Sequence, residues 1–165
     1  MIGSPFVVRT ATEESATGSC IELWVAAVAD RDGVPASSAV RDRARTKFAA
    51  QRVALVVADD PAGTPSGFAL VTAPGTGGAP SDAAYLSLLA VAPAAQGHGL
   101  GRRLLAAAVS AAAETGHAHC ELHALDDNEP ALALYRSAGF WPVGEPFPHA
   151  LNGRPTRVWR ADASA

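Results

Sequence analysis

The stretch Leu89-Ala90-Val91-Ala92-Pro93-Ala94-Ala95-Gln96-Gly97-His98-Gly99-Leu100-Gly101-Arg102-Arg103 constrains the fold more than any other part of this chain. An apolar strand ends near Pro93, a glycine-rich turn follows, and a helical pattern begins at once. Glycines accept positive φ, so successive backbone N–H groups can converge on one point. The helix behind them adds the positive partial charge of its N-terminus. Such a nest binds a phosphate or pyrophosphate without needing a side-chain cation. Arg102 and Arg103, in the first turn, extend the reach to further phosphate oxygens or stand as solvated surface. The bland reading of the same glycines is a tight turn requiring φ > 0. Two familiar nucleotide sites do not fit. Arg102 stands where a dinucleotide fingerprint needs its third glycine, and no Gly-Lys-Ser/Thr follows, which excludes a P-loop.

The surrounding pattern places this segment within a mixed sheet. Residues 6–9 read as a strand, and Glu13 and Glu14 as acids in the first turn of a helix over 15–29. The Asp30-Arg31-Asp32-Gly33 cluster ends that helix, and residues 36–51, with Arg41, Arg43, Arg45 and Lys47, form a polar second one. Residues 53–58 and 67–73 make an antiparallel hairpin across the Asp59-Asp60-Pro61-Ala62-Gly63 turn. Residues 85–91 are a strand, residues 100–112 a helix stopped by Gly116, and residues 119–124 the next strand. A short helix over 131–137 and strands over 140–143 and 156–159 close the chain. The order is α/β, neither purely doubly wound nor all-antiparallel, with a parallel crossover from 85 to 124.

Bulk properties narrow the class. The 165 residues fit one domain, 1–165, large enough to bury a core without disulfides or a structural metal. A net charge of −3 argues against nucleic acid as the main partner. Two cysteines, Cys20 and Cys120, build no disulfide framework and fit a reducing cytoplasm. No run approaches the roughly 20 apolar residues of a membrane span, and the start shows no signal-peptide pattern. Alanine and arginine abound while Lys47 is the only lysine, a bias of GC-rich, bacterial-type genomes.

Gln96-x-x-Gly99-x-Gly101 resembles the signature of the GNAT acetyltransferase superfamily, and Leu86-x-x-Leu89-x-Val91-x-Pro93 is similar to what precedes it there. Downstream, Leu122-x-Ala124-x-x-x-Asn128-x-x-Ala131-x-x-Leu134-Tyr135-x-x-x-Gly139-Phe140 resembles the family's second half. The likeness is specific over residues 85–140 and looser elsewhere. It implies a GNAT-like, mostly antiparallel central sheet flanked by helices, with a splayed parallel strand pair taking pantetheine between its strands. Acetyl-coenzyme A is then the co-substrate. The backbone of Leu89, Ala90 and Val91 would pair with pantetheine. Gln96 and the amides of Gly97, His98, Gly99, Leu100, Gly101 and Arg102 would hold the pyrophosphate. Asn128 would touch the pantetheine arm and Tyr135 would stand near the sulfur. Asn128 also reads as a helix cap ahead of Pro130, and Tyr135 as ordinary core.

Acetyl transfer needs a neutral amine, a polarised carbonyl and a leaving thiolate. An amine with pKa near 10.4 is less than roughly 0.1% neutral at pH 7, so a base or a desolvating site helps. A backbone N–H near Val91 can stabilise the oxyanion, and Tyr135 can protonate the thiolate as general acid. Direct attack is expected, because no Cys/His/Asp arrangement supports a covalent intermediate. Many members of the family carry a glutamate on the strand before the loop; here that strand offers only Ser87. His119, Glu121 and His123 alternate on the next strand and share a face, making Glu121 and His123 candidate bases or relays, or polar groups on an outer or subunit-facing surface. No spacing completes a zinc site around His117, His119 and His123, and no metal is expected. The expected acceptor is a primary amine of a small molecule or peptide. Alternatives are a non-catalytic acyl-coenzyme A-binding module, or an unrelated phosphate-binding α/β domain. Phe140, Trp141, Phe147 and Trp159 suggest a homodimer.

Overall fold

A computed structural model describes residues 4–163. The strands are β1 Val7–Thr10, β2 Arg52–Asp59, β3 Pro65–Thr72, β4 Ala84–Val91, β5 His119–Leu125, β6 Trp141–Pro148 and β7 Pro155–Asp162. The helices are α1 Ser15–Asp32, α2 Ser38–Ala49, α3 Leu100–Glu114 and α4 Glu129–Ser137. One seven-stranded sheet runs β1-β2-β3-β4-β5-β7-β6. Every neighbouring pair is antiparallel except β4 and β5.

The hydropathy of β2 and β3 explains their central place. Both are apolar on each face and almost wholly buried, so each face needs a helical cover. On one face α3 packs Leu100, Leu104, Leu105, Ala108 and Ala112 against Ala54, Val56, Ala69, Val71, Leu86 and Leu122. On the other, Cys20, Ile21, Leu23 and Ala44 of α1 and α2 meet Leu55, Val57, Phe68, Leu70 and Leu88. Cys20 and Cys120 are free and lie in opposite layers. Gly67 sets the spacing on the α3 side. A Cβ there would stand 2.9 Å from Leu104 Cδ1 and 3.1 Å from the Ala90 carbonyl.

Some boundaries differ from the sequence expectation. Helix α1 continues through Asp32 and stops only at Gly33, whose φ of 65° and N–H donated to the Ala29 carbonyl form the cap. Glu13 is not in its first turn. Its carboxylate instead accepts from the Thr12 N–H and the Arg9 guanidinium. Strand β6 reaches Pro148 despite three prolines, because it is the sheet edge and its missing N–H donors cost no ladder bond.

Candidate functional site

The glycine turn is built as a nest. Gly97 and Gly99 have φ of 84° and 73°, conformations a side chain rarely adopts. Among the described residues, the amides from Gly97 to Arg102 find no acceptor; the first that does is Arg103, donating to the Gly99 carbonyl at 3.2 Å. Six donors thus lie together at the positive end of a 15-residue helix. Gly101 is there for a different reason. Its φ is ordinary, but a Cβ would come 3.3 Å from Leu134 Cδ2, so it lets α3 and α4 approach. The flanking side chains divide. Arg102 is exposed, whereas Arg103 is spent on Ser4 Oγ and the Phe6 carbonyl, tying α3 to the chain before β1. His98 donates through Nδ1 to the Ala95 carbonyl and meets the Phe6 ring edge-on. Gln96 donates to the Val91 carbonyl at 3.4 Å.

Below the nest the sheet parts. Strands β4 and β5 pair only at Ala84–Cys120 and Tyr85–Glu121, and then diverge. On its other side β4 stays paired with β3 through Val91–Gly67. Leu89, Ala90 and Val91 therefore run along the open side of the gap, leading to the nest. Within β4 the register skips Ser87, since Leu70 faces Leu88 while Val71 faces Leu86. This bulge turns the Ser87 carbonyl to Lys47, whose ammonium donates to it at 3.2 Å.

Beyond the gap stands α4. Asn128 occupies its N-cap position, yet its side chain makes no cap hydrogen bond and stays available to a ligand. Tyr135 is half-buried, 6.2 Å from Phe140 between ring centres. Its hydroxyl has no hydrogen-bond partner among the described residues, and burial pushes its pKa up to about 12. A protonated phenol with an idle donor is the result.

The face of β5 that the sequence marked is real but divided. Cys120, Leu122 and Ala124 point into the α3 layer, while His119, Glu121 and His123 share the opposite face. His119 lies 3.4 Å from Asp162, and His117 is hydrogen-bonded near Thr115. Glu121 is engaged, accepting from Arg160 at 2.7 Å and from Ser81 at 3.0 Å. His123 contacts Tyr85, with Nδ1 3.2 Å from the phenol oxygen, and Phe147 packs on its ring. Burial, then the positive field of Lys47, brings His123 down to about 4, so it is neutral at physiological pH. Burial also raises Tyr85 to about 12. A hollow of about 190 Å³ starts at Tyr85, Glu121 and His123 and runs under residues 75–83. A larger one of about 480 Å³ lies between α4 and the β6–β7 hairpin, away from nest and gap.

Lys47 is the residue that sequence reasoning missed. It sits in a charged run that reads as a solvated helix, and only the bulge across the sheet makes it part of the site. Its ammonium lies 5.5 Å from the centre of the Tyr85 ring. Burial, with the charge of Arg43 behind it, lowers its pKa to about 8. The aromatic argument for a dimer is also reduced. Phe140 and Trp159 are core residues, and Phe147 packs T-shaped against His123, leaving Trp141 exposed.

The sheet parts between two parallel strands, and among the described residues the amides of Gly97 to Arg102 lie without acceptors at the start of α3. A sequence profile of the acetyltransferase (GNAT) family matches residues 19–140, and the chain belongs to that family. Over 57 residues it is 47% identical to a mycothiol acetyltransferase of Clavibacter sepedonicus, covering 34% of this chain and 19% of the relative. Over 75 residues it is 45% identical to the N-alpha-acetyltransferase RimI of Mycobacterium tuberculosis, covering 46% of this chain and 42% of that protein. The matches thus span less than half of either curated relative. Among solved structures, an alanine N-acetyltransferase of a ribosomal protein from Escherichia coli superposes with TM-score 0.73. It is 21% identical and the match covers 97% of this chain and 95% of that one, a likeness of fold. No helix among the described residues is long and apolar enough to cross a membrane.

Proposed function

We propose that this chain is a single-domain N-acetyltransferase, moving an acetyl group from acetyl-coenzyme A to a primary amine of a small molecule or peptide by direct attack. One observation carries the reading: six unsatisfied amides, Gly97 to Arg102, sit at the mouth of the gap between β4 and β5. The nest takes the pyrophosphate, and the pantetheine arm runs down the gap past Leu89, Ala90, Val91 and Asn128. The amine lone pair then attacks the thioester carbonyl, the C–S bond breaks, and the nitrogen gives up a proton. The Tyr135 hydroxyl donates its proton to the departing thiolate. Glu121 is held by Arg160, so the proton from nitrogen leaves through water near Ser87 or through the neutral His123. The reaction takes place in the cytoplasm and needs no metal. A homodimer would use the exposed Trp141 and Val143 of the edge strand β6.

The engagement of Glu121 favours a second reading, a non-catalytic module that senses acyl-coenzyme A. Calorimetric titration with acetyl-coenzyme A, beside a Gly99→Asp/Gly101→Asp variant, tests what both share. Wild type should bind, and the folded variant should lose at least about 100-fold in affinity, since two carboxylates enter the anion nest. Binding that survives the double substitution overturns the placement. Turnover against an amine panel then separates enzyme from sensor.

A further inference from the structure

Helix α2 carries four basic residues, and the fold treats them as two pairs. Arg41 and Arg45 face outward and are neutralised, Arg41 by Glu22 at 2.8 Å and Arg45 by Asp42 at 3.3 Å. Arg43 and Lys47, also four apart, have no carboxylate within 4.0 Å among the described residues. Lys47 reaches across the sheet to the Ser87 carbonyl at 3.2 Å and to the Tyr85 ring at 5.5 Å, and Arg43 lies one turn before it on α2. The field of Arg43 acts on Tyr85, His123 and His149, that of Lys47 on the two histidines, and burial of those histidines pushes the same way. The one acid on the adjoining wall, Glu121, is already claimed by Arg160. At the far rim, Asp32 is held by Arg31, with Arg154 4.0 Å away.

A chain of net charge −3 thus keeps two basic side chains of α2 without a carboxylate partner among the described residues, one of them against the strand that borders the gap. Burying a cation without a counter-charge costs stability, and an anion that arrives to meet it offsets that cost. The cofactor's phosphates are taken by the nest, and the pantetheine in the gap is uncharged. We propose that the missing anion belongs to the acceptor: a small amine that also carries a carboxylate, seated on Lys47 and Arg43. This rests on the acetyltransferase reading and names its substrate class. Lys47 spends one N–H on the Ser87 carbonyl and has two left for the carboxylate. The same field acts on the other end of the acceptor. A second cation is disfavoured beside Arg43 and Lys47, so the amine enters its neutral, nucleophilic form more readily than in water.

The test compares α-amino acids and β-alanine with their carboxamides, which keep the amine and lose the charge. With acetyl-coenzyme A, wild type should favour the acids by at least about 10-fold in kcat/KM, mainly through KM. Lys47→Met should bring that ratio close to one, and Lys47→Arg should restore most of it. Equal or better use of the carboxamides by wild type, or a ratio that survives Lys47→Met, overturns the proposal. Thermal shift by the same acids, read without cofactor, decides the anion seat independently of turnover. A rise in wild type that Lys47→Met loses supports it, and no rise overturns it. Failure of wild type to bind acetyl-coenzyme A would strike the transferase reading alone.

Discussion

The two faces of β4 and β5 are made from alternate residues of the same strands, and they obey opposite rules. Toward α3, Ala84, Leu86, Cys120, Leu122 and Ala124 join an apolar layer that leaves little room for movement. Toward α2 and the β6–β7 hairpin, Lys47 meets Tyr85 and the Ser87 carbonyl, His123 meets the Tyr85 hydroxyl, and Glu121 is held by Arg160. The contrast teaches where stability is made and where it is given up. Paired, apolar surface on one side supports a parted, charged surface on the other.

Substitutions can break or sharpen that contrast. The largest effect is expected from Leu104→Ala on the apolar side, fully buried against Gly67. It should cost about 2–5 kcal/mol in denaturant unfolding. A cost under about 1 kcal/mol would mean the α3 layer is not the stabilising one. Next comes Tyr135→Phe, which removes a hydroxyl with no partner among the described residues. It should lower kcat by about 100-fold while the melting temperature and acetyl-coenzyme A affinity hold. Parallel loss of stability would assign Tyr135 to packing.

Lys47→Met reverses the usual sign. The folded-state pKa of about 8 lies below the ordinary 10.5, so the fold favours the neutral amine. The charged lysine therefore costs stability in full below about pH 8, and the cost fades as pH rises toward 10.5. Discounted for the water Lys47 still meets, the substitution should stabilise the protein by about 1–3 kcal/mol at pH 7. The smallest effect is Gly18→Ala in α1, where a Cβ meets nothing within 4 Å. A gain of about 0.5–1 kcal/mol in thermal unfolding is expected, since alanine is the better helix former.

The element order was legible because periodicity and glycine punctuation agree along the chain. The nest was legible for the same reason, as its chemistry lies in consecutive backbone amides. What escaped depends on distant partners. Glu121 reads as a candidate base until Arg160, 39 residues on, is seen to hold it. Lys47 reads as solvated until a bulge 40 residues away offers it a carbonyl. The prolines at 142, 146 and 148 hid most of β6, because only its place at the sheet edge makes them tolerable.

Gly67 carries one more consequence. With no side chain there, α3 settles onto β3 and β4, and the nest rides on the first turn of that helix. Residue 67 therefore acts as a shim: its thickness sets how high the first turn of α3, with its free amides, stands above the strand gap. Adding one methyl group would press on Leu104 and the Ala90 carbonyl and move the helix start away from the strands. Under the proposed function, the distance the cofactor must span is thus gauged by a position that would never touch it.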